Sequence, residues 1–480
     1  MYDAAIVGCG IIGAAAAYEL SRYRLNTVVL EKRNDVCDAT TKANSAIIHA
    51  GYDPEPGTLM AKLNVRGSEL VQELCARLDV PYKRIGSLVL AFGGEDRGTI
   101  QTLYERGVRN GVKGLALLSA SEVRAMEPAI ASNVTGALYA PSAAVVNPWE
   151  YGIALAETAV KNGVRLQRST EVLSISRIDG GWRLMTNRGS VEAGFVINAA
   201  GVDAGKVHNM AAEPDFSIRP SRGEYYLLDK SEGTRVSHVI FQCPNENGKG
   251  VLVSPTTHGN LIVGPNAQTV KDDKNVSNTA AGLEFVRRTA LRSVPSIAFR
   301  DNIRNFAGLR AVCDRDDFVI RIAAPGFLDL AGIKSPGLSA APAVAEYALE
   351  LLRSEGLQTE EKADWDGGRK KIRFKELSAE EKTRLIRETP AYGRVVCRCE
   401  TITEGEILDA LRSPIPPRSI DGVKRRAGSG MGRCQGGFCG PRVLDIMARE
   451  CRVAPEEILQ DNDGSWILCG ETKRGANADA

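Results

Sequence analysis

Near its start the chain runs Ala4-Ala5-Ile6-Val7-Gly8-Cys9-Gly10-Ile11-Ile12-Gly13, passes through the small residues Ala14 to Ala17, and returns to an apolar run, Thr27-Val28-Val29-Leu30, ending on Glu31. This order reads as strand, glycine turn, helix, strand, the opening of an α/β unit. One glycine lets the chain turn tightly, a second lets backbone approach a pyrophosphate, and a third lets the helix pack close to the strand. The helix opening at Ile11 aims free N–H groups at that phosphate. Glu31 lies eighteen residues beyond Gly13, where a carboxylate accepts hydrogen bonds from both ribose hydroxyls and repels a 2′-phosphate. The expected ligand is a dinucleotide. A plain βαβ turn shares the glycines but needs neither the small helix face nor the acidic strand end.

At 480 residues the chain has room for two or three domains. Its 61 basic and 59 acidic residues nearly cancel, which argues against nucleic acid or an anionic membrane as partner. No apolar run reaches the ~18 residues of a bilayer span, so an integral membrane protein is not expected. With the first strand beginning by Ala4, no secretory leader is expected either. The anticipated location is the cytoplasm, with peripheral attachment to the inner membrane through a partner as a further possibility.

Beyond Glu31, small and hydroxylated residues dominate Ala39-Thr40-Thr41-Lys42-Ala43-Asn44-Ser45-Ala46-Ile47-Ile48-His49-Ala50-Gly51-Tyr52. Such residues allow backbone to lie against a flat ligand and to hydrogen-bond it with short side chains. This segment resembles the flavoprotein family that includes D-amino acid oxidase, glycerol-3-phosphate dehydrogenase and 2-hydroxyglutarate oxidase, in which it runs beneath the isoalloxazine ring. The resemblance implies FAD. It continues in order through Val196-Ile197-Asn198-Ala199-Ala200-Gly201, Pro220-Ser221-Arg222-Gly223-Glu224-Tyr225-Tyr226 and Gly332-Ile333-Lys334-Ser335-Pro336-Gly337-Leu338, covering residues 1 to about 353. Carried over position by position, it implies FAD contacts from Gly8, Gly10, Ile12, Gly13, Glu31, Lys32, Thr40, Thr41, Asn44, Ser45, Ile48, His49, Val172, Ala200, Gly201, Gly332, Lys334, Ser335, Gly337 and Leu338.

Oxidising an alcohol or amine with flavin needs a group to take the O–H or N–H proton, and a small anionic substrate needs a cationic anchor. Of four histidines, His258 at the tip of an expected hairpin and His49 beside the expected flavin are the candidate bases, with His258 placed first. Either is equally compatible with a neutral positioning role. Arg310, in Phe306-Ala307-Gly308-Leu309-Arg310, resembles the family's substrate-binding arginine, whose fork grips carboxylate or phosphate. Arg222 is a second candidate anchor, with structural pairing to Glu224 as the alternative. Lys334 matches a lysine near the flavin in glycerol-3-phosphate dehydrogenases; a solvated loop charge is its alternative.

Of eleven cysteines, Cys397, Cys399, Cys434 and Cys439 cluster within 43 residues, which in a reducing compartment points to metal rather than disulfides. Structural zinc prefers C-x(2–4)-C hooks, and the first pair here has one intervening residue. The segment from Val396 through Gly422-Val423-Lys424-Arg425-Arg426 to Arg442 resembles the 2Fe–2S domain of bacterioferritin-associated ferredoxin and the tails of several flavin dehydrogenase subunits. A 2Fe–2S cluster is therefore expected, zinc and free thiols being the alternatives. The local basic residues would offset the anionic cluster, or form a solvated or partner-docking face.

The expected fold is α/β (α+β overall): a Rossmann-type FAD-binding domain (residues 1–80, 140–205 and 305–353) with an inserted antiparallel-sheet substrate domain (81–139 and 206–304). A connector (354–392), a small C-terminal 2Fe–2S domain (393–455) and a tail (456–480) follow. The combination resembles anaerobic glycerol-3-phosphate dehydrogenases. It implies oxidation of a small anionic 2-hydroxy compound, sn-glycerol 3-phosphate first, with electrons leaving through the cluster to an acceptor protein, either a second flavoprotein subunit or a membrane-associated acceptor. L-2-hydroxyglutarate or an amino or imino acid is the alternative substrate, and a non-catalytic electron-transfer subunit the alternative of another class.

Overall fold

A computed structural model describes residues 1–244 and 250–470. The expected tail therefore runs partly outside the described residues. The chain divides into two compact units: residues 1–32 with 36–369, and residues 33–35 with those from Lys370 onward.

In the first unit, β1 (Tyr2–Val7) and β2 (Thr27–Leu30) flank the helix α1 (Ile11–Leu20), as the glycine pattern predicts. The two strands pair in parallel, and β1 also pairs in parallel with the strand Gly189–Asn198. From Ala4 to Val7 in β1 and throughout β2 the side chains are buried from both faces, so these stretches read as continuous apolar runs rather than as alternation. Phe327–Ala331 extends the sheet beside Gly189–Asn198 and delivers the chain to the helix Gly337–Ser354.

A second sheet of nine strands is antiparallel except where Val239–Gln242 runs parallel to Ser87–Ala91. Its longest pairing joins Ile218–Leu228 to Asn302–Cys313. Residues 305–313 thus lie in this sheet, although the sequence pattern placed them in the nucleotide-binding domain. Their partner strand begins some eighty residues earlier, a register that local pattern does not carry. A small third sheet, in which Ala144–Val146 pairs with Ile47–Ile48 and Tyr82–Arg84, holds the segment leading to His49.

The expected connector divides between the units. Trp365 packs edge-on against Tyr18, whose hydroxyl donates to Gly367 O at 2.9 Å, and Arg369 pairs with Glu157 at 3.3 Å. Phe374 instead belongs to the second unit, where it stacks on Tyr392 and its N–H donates to Glu406.

The second unit packs a two-strand hairpin (Val395–Cys397, Ile402–Thr403) and the helices Glu404–Leu411, Ile420–Ala427 and Gly440–Cys451 around Val396, Ile402, Ile407, Val423, Val443 and Met447. Thr403 and Glu406 form a reciprocal cap on the first of these helices. Ser419 caps the second, which stops at Gly428, where φ is +90°.

Candidate functional site

The three motif glycines carry three distinct constraints. Gly8 turns at φ +96°, and a Cβ there would stand 2.7 Å from Ala199 O; a Cβ at Gly13 would stand 2.0 Å from Gly8 O. Beside Gly10 the nearest atom is Thr41 Oγ1, 3.5 Å from an added Cβ; Gly10 itself has no side chain to cap α1, and the N–H of Ile11, expected to be free for the phosphate, donates to Thr41 Oγ1 instead. The first and third glycines serve the turn and the helix packing, while the second leaves the backbone open to a phosphate.

Glu31 is buried at the end of β2, where its Oε2 accepts from Cys9 N at 2.7 Å and its carbonyl accepts from Thr170 N. That second bond brings the start of the strand Val172–Ile178 beside it. Lys32 pairs with Asp203, which closes the short turn Gly201–Asp203 onto the end of β2 and brings Ala200 and Gly201 there too. Gly8, Gly10, Gly13, Glu31, Lys32, Ala200 and Gly201 therefore gather at the C-terminal ends of the parallel strands β1, β2 and Gly189–Asn198.

The segment 39–49 is fixed by its own short side chains. Thr41 Oγ1 accepts from Ile11 N at 2.9 Å, and Asn44 donates to the carbonyls of Thr40 and Thr41 while accepting from Ala46 N. Thr40 donates to Leu309 O, tying the segment to the second sheet.

Strand parity decides which arginine faces this segment. Ser221 pairs with Arg310, Gly223 with Gly308 and Tyr225 with Phe306, so these six residues share one face of the sheet. A Cβ at Gly308 would stand 1.9 Å from Ala43 O, Tyr225 OH lies 3.2 Å from Ser45 Oγ, and Tyr225 stacks on Phe306 with ring centroids 4.7 Å apart. That face is pressed against residues 43–45. Arg310 lies on it, its guanidinium passing across Gly223 and donating to Asn266 O at 3.2 Å.

Arg222, one residue out of phase, points to the other face. It is 4% exposed and bound to Glu224, Asn275, Ser277 and Gln268, so it braces the loop 268–279 and does not join Arg310.

His49 and His258 separate in the same way. His49 Nε2 lies 3.2 Å from Ser335 Oγ, its backbone N–H donates to Ser339 Oγ at 2.8 Å, and its ring stacks on Phe241. Lys334 adjoins Ser335 in the loop that starts at Gly332 (φ +64°) and enters the helix at Gly337 and Leu338. His258 is exposed at its hairpin tip, with Nε2 3.0 Å from the amide of Asn147, the cap of the helix Pro148–Lys161. The structure thus brings Ser335, with Lys334 its neighbour in the chain, to His49, and places His258 at a helix cap. His208 and His238 are paired to Asp329 and Glu127. Tyr225, Phe306 and Ser339 were not singled out from the sequence; alternation along Ser221–Tyr225 was the signal for the first.

In the second unit the four cysteines form two pairs. Cys399 and Cys434 stand with Sγ atoms 3.6 Å apart, close to the ~3.8 Å edge of a tetrahedron with metal–sulfur bonds of about 2.3 Å. The Cys439 thiol donates to Cys397, and with the N–H groups of Gly430 and Glu400 it draws the Cys397 thiol down to about 6, toward the thiolate that binds metal. The Phe438 N–H lowers Cys434 likewise. Among the described residues no group of three or more His, Cys, Asp or Glu side chains converges on one metal-ion site.

Lys424, Arg425 and Arg426 are buried. Arg426 binds both oxygens of Asp35 at 2.8 Å, and Arg425 bridges Asp35 and Asp461. They are consequently neither a solvated face nor a docking face.

The profile of the FAD dependent oxidoreductase family matches residues 3–351. The chain belongs to that family. A BFD-like [2Fe-2S] binding domain matches residues 395–449. This FAD dependent oxidoreductase therefore carries FAD in its first unit and a 2Fe–2S cluster in its second.

It is 50% identical over 476 residues to a glycerol 3-phosphate dehydrogenase of Caloramator mitchellensis, covering 98% of this chain and 99% of that one. It is 33% identical over 375 residues to a glycerol 3-phosphate oxidase of Mycoplasma genitalium, covering 76% of this chain and 97% of that one. Among solved structures, the dithionite-reduced L-α-glycerophosphate oxidase of Mycoplasma pneumoniae with FAD bound superposes with a TM-score of 0.73 at 32% identity, over 78% of this chain and 99% of that one. A glycine oxidase from Geobacillus kaustophilus shares the fold, with a TM-score of 0.66 at 22% identity over 76% of this chain and 96% of that one.

Proposed function

We propose that the chain oxidises sn-glycerol 3-phosphate to dihydroxyacetone phosphate and passes the electrons to an acceptor protein. The observation that carries this reading is the glycerol 3-phosphate dehydrogenase matched at 50% identity along both units. The Mycoplasma genitalium oxidase is spanned almost whole by three quarters of this chain, which leaves about a quarter here without counterpart. That quarter carries the cluster, which an oxidase reducing dioxygen does not need and which gives a dehydrogenase a one-electron outlet toward a protein acceptor.

When bound, FAD accepts hydride and the cluster carries single electrons. The chain's own residues bind and orient substrate and move its proton. Arg310, lying over the side-chain-free backbone of Gly223, holds the phosphate through its fork, and Lys334, next to Ser335 in the chain, adds a second positive charge. His49 takes the proton of the C2 hydroxyl at Nε2, which exchanges the Ser335 hydroxyl for that of the substrate, while the ring stays stacked on Phe241. Gly10, Thr41, Glu31 and the turn at Gly201 hold the dinucleotide. Cys397, Cys399, Cys434 and Cys439 hold the cluster. The acceptor is a second flavoprotein subunit or a membrane-associated protein; among the described residues no helix is long and apolar enough to cross a membrane.

Anaerobic mixing with candidate substrates tests the reading. Glycerol 3-phosphate should bleach the flavin fastest. Bleaching by L-2-hydroxyglutarate or an amino acid in its place would transfer the assignment to that substrate class, and bleaching by none would make the chain a non-catalytic electron-transfer subunit.

A further inference from the structure

The two cysteine pairs differ in depth. Cys397 and Cys439 are 1% and 2% exposed, whereas Cys399 is exposed and Cys434 half-buried. The cluster therefore has one edge in the protein and one at the surface. Phe438, within the Cys434–Cys439 loop, is 85% exposed, the highest value among the described large apolar side chains. Arg398, Arg433 and Arg442, each next to or within three residues of a ligand cysteine, are exposed as well. Glu400, the carboxylate nearest in sequence to the exposed pair, is buried and lies 3.8 Å from Lys375. The surface at the outer cluster edge thus combines one bare aromatic ring with a rim of positive charge. Aromatic side chains and arginine are the residues enriched at protein interfaces, and complementary charge guides the encounter.

We propose that this edge, Cys399 and Cys434 with Phe438 and Arg398 and Arg442 about it, is the docking surface for the acceptor, and that the acceptor is an acidic one-electron carrier protein rather than a flavoprotein subunit. The proposal rests on the reading of the cluster as the electron outlet. Oxidation of one substrate alcohol to the ketone releases two electrons and two protons, so two carrier molecules are reduced by one electron each per turnover.

Cytochrome b5, an acidic haem protein, serves as probe, with basic cytochrome c and ferricyanide as controls. Titration calorimetry of the resting holoenzyme should show binding of cytochrome b5 that weakens steeply with salt, as the Debye length shrinks from ~30 Å at 0.01 M to ~10 Å at 0.1 M. Arg398→Glu with Arg442→Glu should weaken it by roughly ten-fold or more at low salt, and Arg442→Glu alone, outside the cysteine loops, should do so in part. Phe438→Ala should weaken binding at every salt concentration. Reduction of cytochrome b5 should fall in step, while substrate-driven flavin bleaching, ferricyanide reduction and the visible cluster absorption stay unchanged.

Unchanged cytochrome b5 binding in these variants, no binding by the native enzyme, or tighter binding of cytochrome c overturns the docking surface. Cys434→Ser separates the two claims. If it leaves cytochrome b5 reduction intact, the cluster is not the outlet and the underlying reading fails. If it abolishes reduction while the surface variants do nothing, the outlet stands and this surface alone is wrong.

Discussion

Arg310 and Arg222 differ in which face of the second sheet they point from, and that difference governs their effects. Arg310→Ala should lower kcat/KM for glycerol 3-phosphate by about 10- to 100-fold, the scale of a lost charge-assisted pair. Arg310→Lys should recover part of this, because an ammonium keeps the charge and loses the fork. Steady-state kinetics with a small-molecule acceptor check it, and an unchanged KM and kcat/KM would remove Arg310 from the site. The histidines separate in the same manner. His49→Gln should slow anaerobic flavin bleaching by about 10²- to 10⁴-fold, the range for a general base, while His258→Gln should leave it near the native rate. From sequence alone both choices were open. Deciding them requires strand register for the arginines and, for His49, the arrival of Ser335 from 286 residues away. By contrast the turn at Gly8, Gly10 and Gly13 and the strand end at Glu31 were legible because strand, turn, helix and strand are spelled within one short window, although the atom a Cβ at Gly8 would meet belongs to distant Ala199.

At the scale of elements, two contacts fix the geometry. Gly308 lets the strand Asn302–Cys313 approach Ala43, and a Cβ there would meet Ala43 O at 1.9 Å. Gly308→Ala should therefore displace Arg310 and Tyr225 together from residues 43–45. Lower kcat/KM and weakened FAD retention, read by flavin release on gel filtration, would follow; native values would show that the strand moves without cost.

The second contact is the buried triad of Asp35, Arg425 and Arg426 in the second unit. Burial would raise the Asp35 carboxyl, but Arg426 and then Arg425 outweigh it and hold the carboxyl far below its ordinary value. A group with a depressed folded pKa stabilises fully above its unfolded value of about 3.9 and loses that contribution as pH falls through the folded one. The triad should thus support the second unit undiminished at neutral pH and weaken only in strong acid. Asp35→Ala, which takes from buried Arg426 the carboxylate it grips and leaves Arg425 only Asp461 of its two carboxylates, should cost about 3–5 kcal/mol. Thermal loss of the visible cluster absorption would report it, and an unchanged transition would contradict the role. The sequence showed Lys424-Arg425-Arg426 as a charge run without its partner, because Asp35 stands 390 residues earlier.

For the molecule as a whole, the account joins a two-electron site in the first unit to a one-electron site in the second. The order of units was legible because each carries its signature in a short window: glycines and an acidic strand end in one, four cysteines in the other. The membership of 305–313 and the division of 354–392 were not, since both depend on pairing and aromatic packing between distant segments. The most direct test is stopped-flow bleaching of the flavin by glycerol 3-phosphate in Cys434→Ser, set beside its turnover with the protein acceptor, in a variant shown to be folded and to hold FAD. The account predicts native single-turnover bleaching with steady-state turnover largely lost. Unchanged turnover would make the cluster structural, and loss of bleaching would place the second unit in the substrate site.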